Sequence, residues 1–370
     1  MFFLLNKDIS MGNTENGKGV RFMQFMFKPT YSCNLACQYC HVHQNRDELH
    51  GIISFELAKK LFDWILDFCL AKGINHVDIL WHGGEPLLTG HKLMLIILEY
   101  YTELFKRNSI VCTSSIQTNL LLMDETYVPL IKKYFNNTIG FSFDYKSTER
   151  CYKNGEDASS DIWEKAVWTK NQSINVGAIT QLTQENVYYI NDIYYLFRNE
   201  GISFKYSRIR NTDNYNALLD DSSYVNAVIQ LFNLWIEDEA RLITISNFRE
   251  YIQMLITGNS LSCCYQKDCN ILSFTNNGKI FFCDRSNDLG AIGDYGKSSI
   301  EDVELTIAQQ IKSLDKLNPN CKRCEYNMIC NGGCLFNRIK GWYPHECETT
   351  KSILRYIDSY LKSQGYETVI

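Results

Sequence analysis

Apolar and polar positions along the chain alternate between two periods. From Arg21 the pattern sharpens: Phe22-Met23-Gln24-Phe25-Met26-Phe27 is a compact apolar run closed by Lys28-Pro29, which predicts a buried strand. Ser54 with Glu56 to Ala71 then predicts a capped helix with Leu57, Leu61, Trp64, Ile65 and Phe68 on one face. The alternation continues with strands over Val77–Trp81, Ile110–Gln117, Thr138–Phe143, Ile174–Leu182 and Ser203–Arg208. Between them lie helices over Lys92–Phe105, Asp124–Tyr134, Asp161–Asn171 and Val187–Asn199. Six strands alternating with helices predict a parallel α/β sheet, two units short of a closed eight-stranded barrel. In such sheets reactive groups gather at the C-terminal ends of the strands. Tyr188, Tyr189, Tyr194, Tyr195 and Phe197 fall at helical spacings and read as a core stripe.

Around this region the texture changes. Residues 1–20 read as a loose, polar leader and 21–210 as the strand–helix domain. Asn211 to Asp221 is turn-rich and marks a boundary, and residues 211–257 carry two linking helices, Ser222–Glu239 and Asn247–Ile256. Residues 258–370 hold nine of the fifteen cysteines and read as a separate module ending in a helix. In it Ile271 to Cys283, with Asn276-Asn277-Gly278 between apolar runs, predicts a hairpin that delivers Cys283.

A chain of 370 residues, 45% of them hydrophobic, can bury a core and support a second domain. The net charge of −5 without a Lys/Arg run argues against nucleic acid as a partner. Met1 to Leu5 is apolar, but Asn6, Lys7 and Asp8 end it at once, so no signal peptide is expected. No stretch is long and apolar enough for a membrane span, and no membrane partner is expected. Without a secretory signal, clustered cysteines suggest metal ligands rather than disulfides, in a reducing, anaerobic cytoplasm.

The densest chemistry is Cys33, Cys37 and Cys40, spaced C-x3-C-x2-C directly after the first predicted strand. Three thiols this close can hold zinc or an iron–sulfur cluster, and three ligands leave one iron of a four-iron cluster open. The plainer alternative is buried small hydrophobes sharing a loop. With Tyr39 before the last cysteine, the segment resembles the cluster loop of radical S-adenosylmethionine enzymes. That resemblance implies an open partial (βα)6 barrel of TIM type. It makes Cys33, Cys37 and Cys40 the ligands of a [4Fe-4S] cluster whose open iron binds S-adenosyl-L-methionine, with Tyr39 beside it. Reductive cleavage then yields a 5′-deoxyadenosyl radical, with an electron donor such as flavodoxin or ferredoxin as partner.

Trp81-His82-Gly83-Gly84-Glu85-Pro86 closes the second strand. Glycines allow close backbone approach to a ligand, and a carboxylate can accept from an ammonium group. The segment is similar to the GGE motif of these enzymes, which makes Gly83, Gly84 and Glu85 binders of the methionine amino group. The same likeness places Gln117, Asn119, Ser142 and Asp144 at the ribose and adenosine. A basic residue facing the methionine carboxylate is expected at Arg150 or Lys153, with Lys153 taken as the candidate.

The C-terminal cysteines admit a zinc-ribbon reading, although they are too many for one ion. Their pattern resembles the SPASM extension of peptide-modifying radical enzymes, which implies two further [4Fe-4S] clusters and three in all. Cys263, Cys269, Cys283 and Cys334 would hold one, and Cys321, Cys324, Cys330 and Cys347 the other; Cys264 could exchange with Cys263. Asp284 matches the general base of anaerobic sulfatase maturases. The tryptophan and histidine before the glycine pair look more like maturases of ribosomal precursor peptides that form carbon–carbon cyclophanes, which is the favoured expectation. Sulfatase maturation, thioether formation and a non-catalytic electron carrier are the alternatives. Cys69 and Cys112 read as core residues.

Overall fold

The computed structural model describes residues 21–40, 42, 51–209, 219–260, 265, 269–314, 319–338 and 343–370. The expected leader and Cys263 with Cys264 lie outside the described residues. Strand β1 is Phe22–Phe27, followed by α1 (Phe55–Lys72), β2 (His76–Trp81), α2 (His91–Arg107), β3 (Val111–Thr118) and α3 (Val128–Tyr134). Then come β4 (Thr138–Ser142), α4 (Ser159–Asn171), β5 (Asn175–Leu182), α5 (Ile190–Asn199) and β6 (Ser203–Arg208). Helices α6 (Asp221–Glu237) and α7 (Ser246–Thr257) lead to β7 (Ile271–Phe274), β8 (Lys279–Phe281), β9 (Gly293–Asp294) and α8 (Ile300–Leu314). A one-turn α9 (Asn327–Cys330) and α10 (Tyr343–Ser363) complete the described elements.

The six parallel strands pair in sequence order, as a partial α/β barrel requires. Their register alternates side chains across the sheet, so Phe25, Phe27 and Trp81 point to the helices. There Phe27 meets Phe62 at 5.3 Å and Trp81 at 4.8 Å, while Phe62 meets Tyr101 at 4.5 Å. Burying one large aromatic contributes about 1.5–3 kcal/mol, so this cluster fixes α1 and α2 on the outer face. Helix α1 starts where expected, because the Ser54 hydroxyl accepts from the Leu57 amide at 3.2 Å. Helix α3 starts later than expected: the Asp124 carboxylate takes the Thr126 amide at 2.9 Å and turns the chain before Pro129 can open the helix.

The C-terminal segment joins the barrel sheet. Strand β7 runs parallel to β1, with Phe25 opposite Leu272 and Phe27 opposite Phe274, so the hairpin and β9 extend the barrel sheet to nine strands. Helix α10 returns to the linking helices, where Phe232 meets Tyr360 at 5.4 Å and the Tyr356 hydroxyl donates to Asn233 at 2.9 Å. The expected core stripe on α5 is split. Tyr194 and Phe197 are buried, but Tyr188, Tyr189 and Tyr195 face outward, Tyr188 at 81% exposure. Cys69 is buried as expected, and Cys112 only partly so. Among the described residues no helix is long and apolar enough to cross a membrane.

Candidate active site

The cysteine loop leaves the C-terminal end of β1 and is strapped on two sides. On one side Ala36 N donates to Cys151 O and Gln38 N to Glu149 O, both at 2.8 Å, with Leu35 bridged to Tyr152. On the other, Gly84 N donates to Thr30 O at 3.0 Å and Glu85 N to Ser32 O at 2.9 Å. The second strap explains the glycines. A Cβ on Gly83 would lie 2.3 Å from Thr30 O, and one on Gly84 would lie 2.1 Å from Ser32 O and 2.5 Å from Tyr31 O. The close approach expected toward a ligand is first of all an approach to the cysteine loop itself.

Glu85 is likewise engaged by the chain. Its fully buried carboxylate, expected to accept from an ammonium group, accepts from three groups of the chain: Leu87 N at 2.9 Å, Thr118 Oγ1 at 2.7 Å and Asn119 N at 2.8 Å. Burial pushes it up to about 7 against these three bonds. Glu85 thus ties the turn after β2 to the end of β3. Beyond that tie the chain turns sharply, with the buried Leu120 held at φ 65°. Asn119 Nδ2 donates to Asn34 Oδ1 at 2.8 Å and stands 3.7 Å from the Cys33 sulfur.

Asp144, expected at the nucleoside, anchors a buried network. One carboxylate oxygen takes Arg150 Nε at 2.9 Å and the Tyr39 hydroxyl; the other takes Gln181 N at 2.7 Å. Arg150 Nη2 donates to the Tyr39 oxygen at 2.6 Å, and Nη1 lies 3.9 Å from the Cys37 sulfur. Burial opposes the Arg150 charge, but Asp144 and Tyr39 outweigh it and hold the guanidinium ionised. Lys153, by contrast, is exposed on the turn beyond the Cys151–Asp157 bridge, away from this network. The basic residue in contact with the cysteine loop is Arg150, and Lys153, the expected candidate, stands outside this network. A Lys and an Arg three residues apart look alike in sequence; the Leu35–Tyr152 bridge beside them is tertiary.

Gln117 and Ser142 face each other at the ends of β3 and β4, joined at 2.9 Å and half-buried. Gly140 opposite Gln117 leaves room for that amide, since a Cβ there would lie 2.5 Å from Gln117 Oε1. Burial pushes the Cys33 thiol up to about 12 and Cys37 to about 11, Arg150 opposing the latter.

Sequence reasoning passed over Lys28, seen only as the end of a strand. Its side chain is 1% exposed and its ammonium pairs with Asp284, 14% exposed, at the start of the turn that follows β8. The signal was a lysine closing an apolar strand directly before the cysteine loop.

The second constellation lies at the C-terminal end of β6, beside the first half of α7. A cavity of about 300 Å³ is lined by Cys321, Cys324, Cys330, Cys334 and Cys347, with Tyr206 and Tyr251 on its barrel side. Burial pushes Cys330 up to about 11, with Cys347 and Cys321 adding to it. Cys334, expected with Cys269 and Cys283, lines this same cavity. Cys269 and Cys283 flank the hairpin, whose register pairs Ser273 with Phe281 and so brings the two cysteine ends together. Among the described residues no three His, Cys, Asp or Glu side chains are gathered closely enough to grip a single ion.

Residues 27–179 match the family model of the Radical SAM superfamily. This stretch is a Radical SAM domain. It runs from the last residue of β1 into β5 and contains the cysteine loop, the glycine turn and Arg150. The chain bearing it is an enzyme of radical S-adenosylmethionine chemistry. The chain is 24% identical over 335 residues to a cysteine-type anaerobic sulfatase-maturating enzyme of Clostridium perfringens, covering 84% of this chain and 88% of that protein. It superposes on native anSMEcpe with bound AdoMet and Cp18Cys peptide at a TM-score of 0.80, with 22% identity, over 92% of this chain and 98% of that one. Streptococcus suis SuiB bound to precursor peptide SuiA follows at a TM-score of 0.63, with 18% identity, over 88% and 75%. These likenesses extend the Radical SAM fold past residue 179 into the cysteine-rich segment.

Proposed function

We propose that the protein oxidises a cysteine or serine side chain of a peptide or protein substrate to an aldehyde, in the manner named for the sulfatase-maturating relatives. The observation that carries this reading is Asp284, a carboxylate at the edge of the site, anchored on the strand that leads into the cysteine loop. The relatives' similarity runs along nearly the whole chain, and it moves the preference from cyclophane formation to sulfatase-type maturation. Crosslinking of a precursor peptide is kept as the second reading, on the likeness to SuiB with its precursor peptide and on His82 before the glycine pair.

The donor set fits the implied groups. Cys33, Cys37 and Cys40 would hold the first [4Fe-4S] cluster, with Asn119 and Arg150 nitrogens near two of the sulfurs. Cys321, Cys324, Cys330 and Cys347 would hold a second cluster in the cavity they line. Cys269, Cys283 and Cys334 would hold a third together with Cys263. Gln117 and Ser142 would meet the nucleoside, and Arg150 the methionine carboxylate. When bound, these groups supply a 5′-deoxyadenosyl radical and an acceptor for one electron, and a flavodoxin or ferredoxin would supply the starting electron.

The chain's own task is positioning and proton transfer. Loss of a hydrogen atom from the substrate Cβ, one electron, and the thiol or hydroxyl proton leaves a C=S or C=O bond. For cysteine, water then replaces sulfur, releasing hydrogen sulfide and leaving the aldehyde. Asp284 takes the proton. The test is Asp284→Asn on reconstituted enzyme with a cysteine-bearing sulfatase-type peptide, scoring hydrazine-trapped aldehyde against 5′-deoxyadenosine. Loss of a general base costs roughly 10²–10⁴ in rate, so aldehyde per 5′-deoxyadenosine should fall steeply. An unchanged ratio removes Asp284 from the mechanism; a crosslinked peptide without aldehyde favours the second reading.

A further inference from the structure

We infer that Lys28 is the positioning residue for Asp284 and ties the base to the cysteine loop. The inference deepens the proposed function and rests on its assignment of Asp284.

Three elements meet at Lys28. The cysteine loop follows it directly, and its ammonium lies 5.4 Å from the centroid of the Tyr31 ring. The glycine turn packs on its stem, a Cβ on Gly83 falling 3.4 Å from Lys28 Cβ. The hairpin is hydrogen-bonded to it, Lys28 N donating to Phe274 O at 3.1 Å. Asp284 follows β8, which is separated from β1 by β7. Two strand spacings amount to roughly 9–10 Å, a gap that needs the full four-carbon stem of lysine with the aspartate reaching back.

The ammonium is nearly sealed from water, and a buried charge is tolerated only when it is paired. The pair therefore holds the Asp284 carboxylate on the cysteine-loop side of the hairpin. In this arrangement Lys28 need not touch substrate. It sets the direction in which Asp284 presents its oxygens, and it makes the place of the base depend on the strand that carries the cysteine loop.

The experiment combines Lys28→Met, Lys28→Arg, Asp284→Asn and the Lys28→Met/Asp284→Asn double variant in reconstituted enzyme, with a cysteine-bearing sulfatase-type peptide as probe. Aldehyde formed per 5′-deoxyadenosine should fall about ten- to a hundredfold in Lys28→Met, the loss of a charge-assisted contact. Lys28→Arg should recover part of it, and the double variant should be no worse than Asp284→Asn alone. A role limited to folding lowers aldehyde and 5′-deoxyadenosine together, and that result overturns the proposal. So does a double variant whose defect is the product of the two single ones. Should Asp284→Asn keep the wild-type ratio, the base assignment fails; should only Lys28→Met keep it, this inference alone fails. Independently of turnover, carbodiimide treatment of the wild-type protein should join Lys28 to Asp284 in an amide bond, detected by peptide mass spectrometry. No such bond would overturn the pairing even where Lys28→Met fails to fold.

Discussion

Replacing Gly84 by alanine tests the packing of the site at its tightest point. The added Cβ would stand 2.1 Å from Ser32 O and 2.5 Å from Tyr31 O, so the backbone of the cysteine loop must move. It cannot move freely, because Thr30 O and Ser32 O each accept an amide of the same turn, at 3.0 and 2.9 Å. Overpacking typically costs about 1–3 kcal/mol, and two backbone bonds add about 1 kcal/mol each, giving about 3–5 kcal/mol. That is a large share of the about 5–15 kcal/mol that holds a domain folded. Displacement of the loop also moves Cys33, whose neighbours Tyr31 and Ser32 take the clash. Urea denaturation and iron content after anaerobic reconstitution read both effects, with Gly51→Ala as control, since nothing lies within 4 Å of its Cβ. Gly84→Ala should lose stability and the iron held by the cysteine loop, whereas Gly51→Ala should stay within about 0.5 kcal/mol of wild type. A Gly84→Ala protein as stable and as iron-rich as the control would refute the strap.

Other outcomes follow from the same geometry. Glu85 rises from its ordinary 4.5 to about 7 on folding, so it costs nothing while neutral in both states at low pH. Between those values the unfolded chain ionises first, and wild-type stability should fall on the order of 3 kcal/mol relative to Glu85→Gln; a pH-independent difference would contradict this. Arg150→Ala leaves the fully buried Asp144 without its cation and should cost about 3–5 kcal/mol in urea denaturation, whereas Lys153→Ala should stay within about 0.5 kcal/mol; equal effects would undo the choice between them. Reconstituted protein should carry about twelve irons, and Cys321→Ala with Cys347→Ala should lose about a third of them; zinc in the C-terminal cavity would contradict the assignment.

The strand order and the cysteine loop were legible in the sequence because both are local: period, turn residues and ligand spacing are written in consecutive positions. Cys33, Cys37 and Cys40 needed only their spacing, and the six strands only their apolar runs. What stayed hidden was set by contacts between distant segments. Glu85 binding Asn119, Asp144 binding Tyr39 and Lys28 binding Asp284 join residues 34, 105 and 256 positions apart. Polar residues at strand ends suggested ligand contacts, and the bonds of Glu85 and Asp144 to the chain itself carried no mark in the sequence. The hairpin was visible, but its pairing with β1 was not, since an apolar edge carries no mark of its neighbour. Arg150 and Lys153 were interchangeable in the sequence, since the Leu35–Tyr152 bridge beside them is tertiary.

The most direct measurement is anaerobic incubation of the reconstituted protein with S-adenosylmethionine and a reductant, with 5′-deoxyadenosine followed by mass spectrometry. Wild type should form it, and the variant with Cys33, Cys37 and Cys40 all changed to alanine should form none. Cleavage that persists in the triple variant, or a wild-type protein that carries iron without cleaving, would contradict the account.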